Sequence, residues 1–520
     1  MDKIIILIAF AVYMVVMIVI GAVYVKNTKT NEDYFLGGRN LGSWTAALSA
    51  QASDMSGWLL MGLPGAVYIA GTGEIWIAIG LLIGTVLNWY LVSGRLRRYT
   101  IKANNALTIP GYFENRFHDK TGILQVVSSV IITIFFTVYT ASAFSSGAKL
   151  FATVFSDGST DGFNSTYIYG LVVAAVVILV YTFMGGFKAV CATDLVQGFM
   201  MLIAILAVPI LAYGMLTYNT GFHDALVANG VENPENYLNF MKNADGSPVS
   251  VVSIISNLGW ALGYFGMPHI LVRFMAIKSE AEVKKSRTIA IVWIILSLGA
   301  ACMIGLVARG FLTTQLDAST QETVFIKLIQ QLFSNNYLLL FIGGVFLCGI
   351  LAAVMSTADS QLLVTASAVS EDLYRGTINK NASDKKSLAV GRAAVVVVAI
   401  VAAFIALDPN SSIMGLVSNA WAGFGAAFGP VIIFSLFWRR SNLQGAVSAM
   451  AIGALTIIVW DYIPFINGQT LGDVTGLYSL VVGFILASAA MIIVSLATKA
   501  PGKEITDEFD AVKSGNVEGC

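Results

Sequence analysis

The sequence predicts an all-α integral membrane protein of about thirteen transmembrane helices. Three observations carry that prediction. Apolar runs of about 20 residues, each enough to span ~30 Å of hydrocarbon, recur along the whole chain. Of 520 residues, 57% are hydrophobic and only 12% charged, with a mean hydropathy of +0.77; soluble domains carry about 25% charged residues. Positive charge collects in alternate loops, as it does in the cytoplasmic loops of membrane proteins.

The first run, 3–25, lacks a small-residue cleavage site and is followed at once by Lys26 and Lys29. It reads as a retained helix rather than a secretory leader. Further runs fall at 42–72, 75–98, 122–155, 164–184, 189–216, 251–277, 285–313, 338–373, 388–407, 412–438, 443–463 and 474–498. Basic clusters follow the odd-numbered runs: Arg95, Arg97 and Arg98 after the third, Lys278, Lys284 and Lys285 after the seventh, Arg439 and Arg440 after the eleventh. Intervening loops such as 156–161 and 408–410 are acidic or neutral. The N-terminus is therefore expected outside and the C-terminus in the cytoplasm, which needs an odd number of crossings.

Net charge is zero, which gives no electrostatic footprint for nucleic acid. Cys191, Cys302, Cys348 and Cys520 are widely spaced and form neither a metal motif nor a disulfide framework. Cys520 ends the chain and is no prenylation box. An intramembrane enzyme would need paired catalytic groups, and the three histidines supply no nucleophile–base pair.

Two runs are interrupted. The second contains Ser53-Asp54-Met55-Ser56-Gly57-Trp58, a carboxylate, hydroxyls and a glycine at bilayer depth. Such residues are costly there unless they line a functional cavity. The seventh carries Gly259, Gly263, Gly266 and Pro268 beside Trp260, Tyr264 and His269. The breaks open two successive five-helix blocks, 42–216 and 251–438. Five is odd, so the blocks run in opposite orientation, and paired interruptions in inverted halves point to a transporter's binding site. Residues 1–41 supply the first helix and a cytoplasmic loop, 217–250 an extracellular loop, 439–498 two additional helices, and 499–520 a charged tail expected to be flexible.

The ninth run holds Ala353, Ser356, Thr357 and Ser360 at i, i+3, i+4, i+7, one helix face, with Asp359 alongside. Uncharged oxygens of this kind suit a weakly held monovalent cation, although the same hydroxyls also serve helix packing. Asp194 reads either as a helix-end acid or as a cation ligand. Glu74, Lys188 and Arg273 are placed near membrane edges. Trp58, Tyr139, Trp260, Tyr264 and Trp421 are candidate walls for a small, partly apolar solute.

Residues 36–42, 52–66, 263–269, 352–357 and 420–430, from Leu36-Gly37-Gly38-Arg39-Asn40-Leu41-Gly42 through Ala420-Trp421-Ala422-Gly423-Phe424-Gly425 to Pro430, resemble the sodium:solute symporter family, and within it the bacterial sodium/proline symporters. The resemblance covers nearly the whole chain in order. It implies a LeuT-type core of two inverted five-helix repeats, and symport of L-proline with Na⁺ by alternating access. The alternative is another small amino acid or a carboxylate. Carried onto this sequence, it implies sodium held by the carbonyls of Ala52, Met55 and Ala353 and the hydroxyls of Ser356 and Thr357. Asp54 would govern sodium coupling. Ser56, Trp58, Gly62, Tyr139, Trp260, Tyr264 and Pro268 would lie near proline, and Arg39 at the cytoplasmic approach. Asp359 and Ser360 depart from the pattern of some proline symporters. They raise two readings: a second Na⁺ held by Asp194, Ser356, Asp359 and Ser360, or a single sodium with Asp359 in a structural role. Beyond Na⁺, L-proline and the bilayer, no cofactor or enzymatic activity is expected.

Overall fold

A computed structural model describes residues 2–25, 31–184, 186–515 and 517. Lys26, Lys29 and Cys520 lie outside the described residues. The chain is a helical bundle. Its described β strands are confined to a short antiparallel ladder, Pro464–Ile466 with Gln469–Thr470, before the last long apolar helix.

Among the described residues, eleven helices are long and apolar enough to cross a membrane, against the expected thirteen or so. The difference lies in the two interrupted runs. The first is divided into Ser43–Asp54 and 58–70, and its second half merges with the next helix in a stretch running to Lys102. The other is divided into Val251–Phe265 and Pro268–Ala276. None of these pieces spans by itself.

Burial follows position in the bundle. Helix Ile413–Phe437 is 83% buried along its most apolar window, whereas Asp2–Val23 and Ser479–Ala497 are 33% buried. The peripheral helices turn Ile4, Val15, Val19, Ile485 and Leu496 outward, apolar surface that lipid covers without penalty. The core around the interruptions is rich in Ala, Gly and Ser, which let helix backbones approach closely.

The two interrupted runs are strapped together at the end of the bundle that carries the basic clusters. Gly37, Gly38 and Arg39 all have positive φ (65°, 62° and 47°), a turn that two glycines make accessible. Beyond it, Leu41 donates its N–H to the Ala276 carbonyl at 3.1 Å, and Lys278 returns one to Leu41 at 3.0 Å. Glu282 accepts the Ser43 N–H at 2.8 Å, satisfying an otherwise orphaned helix-start donor.

Two expectations are corrected. Arg273 is not at a membrane edge: it is fully buried. Residues Lys503–Ser514 form a helix rather than a loose tail, because Phe509 and Val512 on one face bury against the bundle while Asp510 pairs with Arg439 at 2.9 Å. A further amphipathic helix, Val324–Leu332, lies between the runs 285–313 and 338–373.

Candidate functional site

The first interruption follows from its residues. Helix Ser43–Asp54 stops at Met55, whose backbone (φ −82°, ψ 77°) is non-helical. Ser56 turns back, donating its N–H to the Asp54 carbonyl at 3.0 Å. The chain re-enters helix through an i→i+5 turn at Trp58–Gly62. A Cβ at Gly57 would collide with the Ser146 hydroxyl, so glycine permits the neighbouring helix to pack at the break.

The released backbone is used at once. Trp58 Nε1 donates to the Asp54 carbonyl at 3.0 Å, and the Tyr139 hydroxyl donates to the same oxygen at 3.3 Å. Two residues earlier, the Ala52 carbonyl accepts from Ser356 Oγ at 2.8 Å and from Thr357 Oγ1 at 3.5 Å. The single Ser356 hydroxyl proton is shared with the Ala352 carbonyl, also at 2.8 Å, and the Ala353 carbonyl lies at 3.3 Å. Carbonyls and hydroxyls of Ala52, Ala353, Ser356 and Thr357 thus converge in a fully buried spot, with Met55 at the break beside them. That is a neutral, all-oxygen donor set, the kind a hard monovalent cation uses.

The second interruption meets the first at Asp54. Tyr264 lies in the 3₁₀ segment Trp260–Phe265, and its hydroxyl donates to Asp54 Oδ2 at 2.8 Å. Asp54 Oδ1 has no partner, an unusual state for a buried carboxylate oxygen. Asn88 holds the Tyr264 carbonyl at 2.9 Å and Trp421 Nε1 holds the Trp260 carbonyl at 2.8 Å, so the irregular backbone is satisfied from neighbouring helices. Gly263 and Gly266 press against Trp421 and the Phe424 carbonyl with no room for a Cβ. Pro268 restarts the helix in its first turn, where a missing N–H costs nothing.

Ser56, Trp58, Tyr139 and Tyr264 therefore gather around Asp54. Trp260 stands off this group and reaches it through Trp421, whose ring meets Tyr264 edge-on at 4.9 Å. Gly62 lies against Met414. Arg39 is at the basic end and binds the Met275 carbonyl at 2.8 Å and the Ala106 carbonyl at 2.7 Å, tying both interrupted runs to a loop.

Asp194, Asp359 and Ser360 also come together, but around a cation of the chain itself. Arg273 Nη2 lies 3.2 Å from Asp194 Oδ2 and donates to Ser360 Oγ at 2.5 Å. Its Nε donates to Ser49 Oγ at 3.1 Å, and Ser49 donates onward to Asp194 at 2.6 Å. Asp359 Oδ1 accepts from Ser360 at 3.4 Å. Arg273, Ser49 and Asn88 were not among the expected site residues. Asn88 and Ser49 carry the same signal as Asp54, a polar side chain inside an apolar run; Arg273 was visible but assigned the wrong depth.

Comparison with known proteins gives the family. The model of the sodium:solute symporter family matches residues 34–453. The chain belongs to the sodium:solute symporter family. Members are transporters rather than enzymes, and Na⁺ is the coupling ion. A sodium/proline symporter of Escherichia coli is 44% identical over 97% of this chain and 95% of its own. The osmoregulated proline transporter OpuE of Bacillus subtilis is 44% identical over 96% of both chains. Among solved structures, a Na⁺-coupled sialic acid symporter has a TM-score of 0.72 at 18% identity, covering 96% of this chain and 99% of that one. Mhp1, a nucleobase-cation-symport-1 family transporter, has a TM-score of 0.54 at 13% identity, covering 93% and 99%. These two similarities give the fold, the LeuT type, in a multi-pass membrane protein.

Proposed function

We propose that this symporter carries L-proline into the cell together with one Na⁺. The observation that carries the reading is the junction of the two interrupted helices, where the Ala52 carbonyl that meets Ser356 and Thr357 lies two residues from Asp54 and its link to Tyr264. Relatives more than 40% identical across almost their full length carry proline.

In this reading the carbonyls of Ala52, Met55 and Ala353 and the hydroxyls of Ser356 and Thr357 hold sodium. Both hydroxyls reach the Ala52 carbonyl; holding the ion, they would turn their lone pairs toward it. Asp54 does not ligate. Its negative charge favours the ion, and its link to Tyr264 passes sodium occupancy to the solute side. Ser56, Trp58, Gly62, Tyr139, Trp260, Tyr264 and Pro268 shape the proline site, with aromatic faces against the pyrrolidine ring. Sodium and proline each tighten the other, since the coupling is reciprocal.

Asp194, Ser356, Asp359 and Ser360 are the alternative second sodium site. Arg273 argues against it, because the guanidinium already neutralises Asp194 and repels another cation. The orientation we propose puts the N-terminus outside and the basic loops, Arg39 and the C-terminus in the cytoplasm, with thirteen crossings once both interrupted runs are counted. The ten from 42 to 438 then form the two inverted repeats. One sodium moving down ~100 mV supplies about 2.3 kcal/mol, enough for roughly 50-fold accumulation.

Uptake of labelled proline into proteoliposomes, with and without an inward sodium gradient, tests the reading. Sodium-stimulated uptake competed by unlabelled proline is expected. Uptake indifferent to sodium, or outcompeted by a different amino acid or a carboxylate at lower concentration, would refute it.

A further inference from the structure

The first helix, Asp2–Val25, lies outside the proposed repeats and packs along Tyr337–Ser367, the helix that carries Ser356 and Thr357. Between them, flanked by Ile123–Phe155 and Thr160–Met184, is a recess of about 200 Å³ with a wholly apolar wall. Its mouth and floor differ. Leu7 and Val173 at the mouth are 50% and 44% exposed, whereas Phe10, Val354 and Met355 on the floor are buried. Gly147 also lines it, and a Cβ there would crowd the Ala174 Cβ at 3.0 Å, so glycine keeps the recess open.

The depth of the recess follows from the first helix. Lys3 Nζ donates to the Phe155 and Ser156 carbonyls at 3.0 and 2.7 Å, where Ile123–Phe155 ends. A charged side chain and helix-end carbonyls mark the level of the membrane surface. Leu7 and Met14 line the recess four and eleven residues beyond Lys3, which places them about 6 and 17 Å below that level. One leaflet contributes about half of the ~30 Å of hydrocarbon. The recess therefore lies among the lipid chains of a single leaflet and reaches toward their ends.

The wall and size select the occupant. Water would find no hydrogen-bond partners on an apolar wall. A helix of another protein segment, ~10 Å across, is too wide to enter. A hydrocarbon chain is narrow, is present at this depth, and gains dispersion contacts on a wall that needs no polar partner. We infer that the recess binds the distal half of a phospholipid acyl chain from the leaflet on the Lys3 side. Its floor connects that chain to the centre of the protein. Leu351, Val354 and Met355 lie on the face of their helix opposite Ala353, Ser356 and Thr357. Met355 Sδ accepts from the Tyr13 hydroxyl at 3.8 Å, and Gln197 Nε2 donates to Tyr13 at 2.8 Å. A chain in the recess thus backs the helix of the neutral oxygen cluster and adjoins its tie to the first helix. Binding of the chain is independent of the solute and ion proposed above.

The experiment reconstitutes the full-length protein in phosphatidylcholine vesicles containing a phosphatidylcholine with a diazirine in the distal half of one chain. After illumination, labelled residues are mapped by mass spectrometry. Wild type should be labelled on the floor, at Met355 and Phe10, as well as at Leu7 and Val173. Ala11→Phe sets a ring at the mouth from the lipid-facing side of the first helix. Labelling of Met355 should fall about fivefold, close to the effect of excluding one buried methylene. Ala174→Leu fills the recess from a different helix and should give the same loss. Val15→Phe lies on the first helix, 60% exposed and outside the recess, and should stay within about twofold of wild type, as surface substitutions ordinarily do. Wild-type labelling confined to Leu7 and Val173 would make the recess a packing gap beneath ordinary surrounding lipid and overturn the inference. Met355 labelling unchanged in both filling variants, or reduced equally in Val15→Phe, would overturn it as well.

Discussion

Asp54 and Asp194 are both fully buried carboxylates close to the helix Tyr337–Ser367, and their partners differ. Asp54 accepts a hydrogen bond from Tyr264 and, among the described residues, forms no ion pair with a basic side chain. Asp194 lies against Arg273, with Ser49 and Ser360 completing the contacts. A buried ionised acid without a counterion is expensive, and in the proposed reading the Asp54 site meets that cost by acquiring a cation from outside. The Asp194 site already owns one. Under the proposed function the difference separates coupling from stability: a mobile ion near the first acid, a tethered cation at the second.

That contrast is open to attack by mutation. The largest effect is expected for Asp194→Asn, which leaves the Arg273 charge buried without its partner at a cost of about 3–5 kcal/mol. Thermal unfolding in detergent should show a marked drop, partly recovered when Arg273→Gln is added. A single variant as stable as wild type would dissolve the distinction. Asp54→Asn comes next. Sodium-stimulated uptake should fall about 100-fold, equivalent to about 2.8 kcal/mol, while thermal unfolding stays near wild type because an amide oxygen still accepts from Tyr264. Substantial uptake in this variant would remove Asp54 from the coupling role.

Thr357→Ala takes one oxygen from the neutral cluster. The sodium concentration for half-maximal uptake should rise about tenfold, or ~1.4 kcal/mol, with proline KM at saturating sodium little altered. A change in proline KM alone would assign Thr357 to the solute. Smallest is Tyr264→Phe, which deletes a single hydrogen bond of ~0.5–1.5 kcal/mol. Proline KM should rise about threefold and the sodium requirement should rise with it, since the hydroxyl bridges the two sites. A shift in only one of the two would break that bridge.

The interrupted helices and Asp54, Ser356 and Thr357 were readable because polar residues and helix-weakening glycines are conspicuous against an apolar background. Depth was less readable. Arg273 sits near the end of the apolar run 251–277, where an arginine ordinarily reaches interfacial water. The break at Gly266 and Met267 makes Pro268–Ala276 a separate short helix inside the bundle, and Arg273 is enclosed with it. Helix Val324–Leu332 escaped notice because nine residues with a single apolar face resemble a loop in a chain of long apolar helices. The terminal helix Lys503–Ser514 was hidden by its charge, while Phe509 and Val512, which anchor it, are only two residues of twelve. Local composition marks where a helix breaks. Which side chain then neutralises a buried acid depends on partners 79 residues apart, as for Asp194 and Arg273.

The most direct test of one mobile cation beside one tethered cation is the charge moved per proline in proteoliposomes held at a fixed potential, with proline and current measured on the same preparation. One elementary charge per proline is predicted. Two charges per proline would put a second sodium at the Asp194–Asp359 cluster despite Arg273 and would contradict the account.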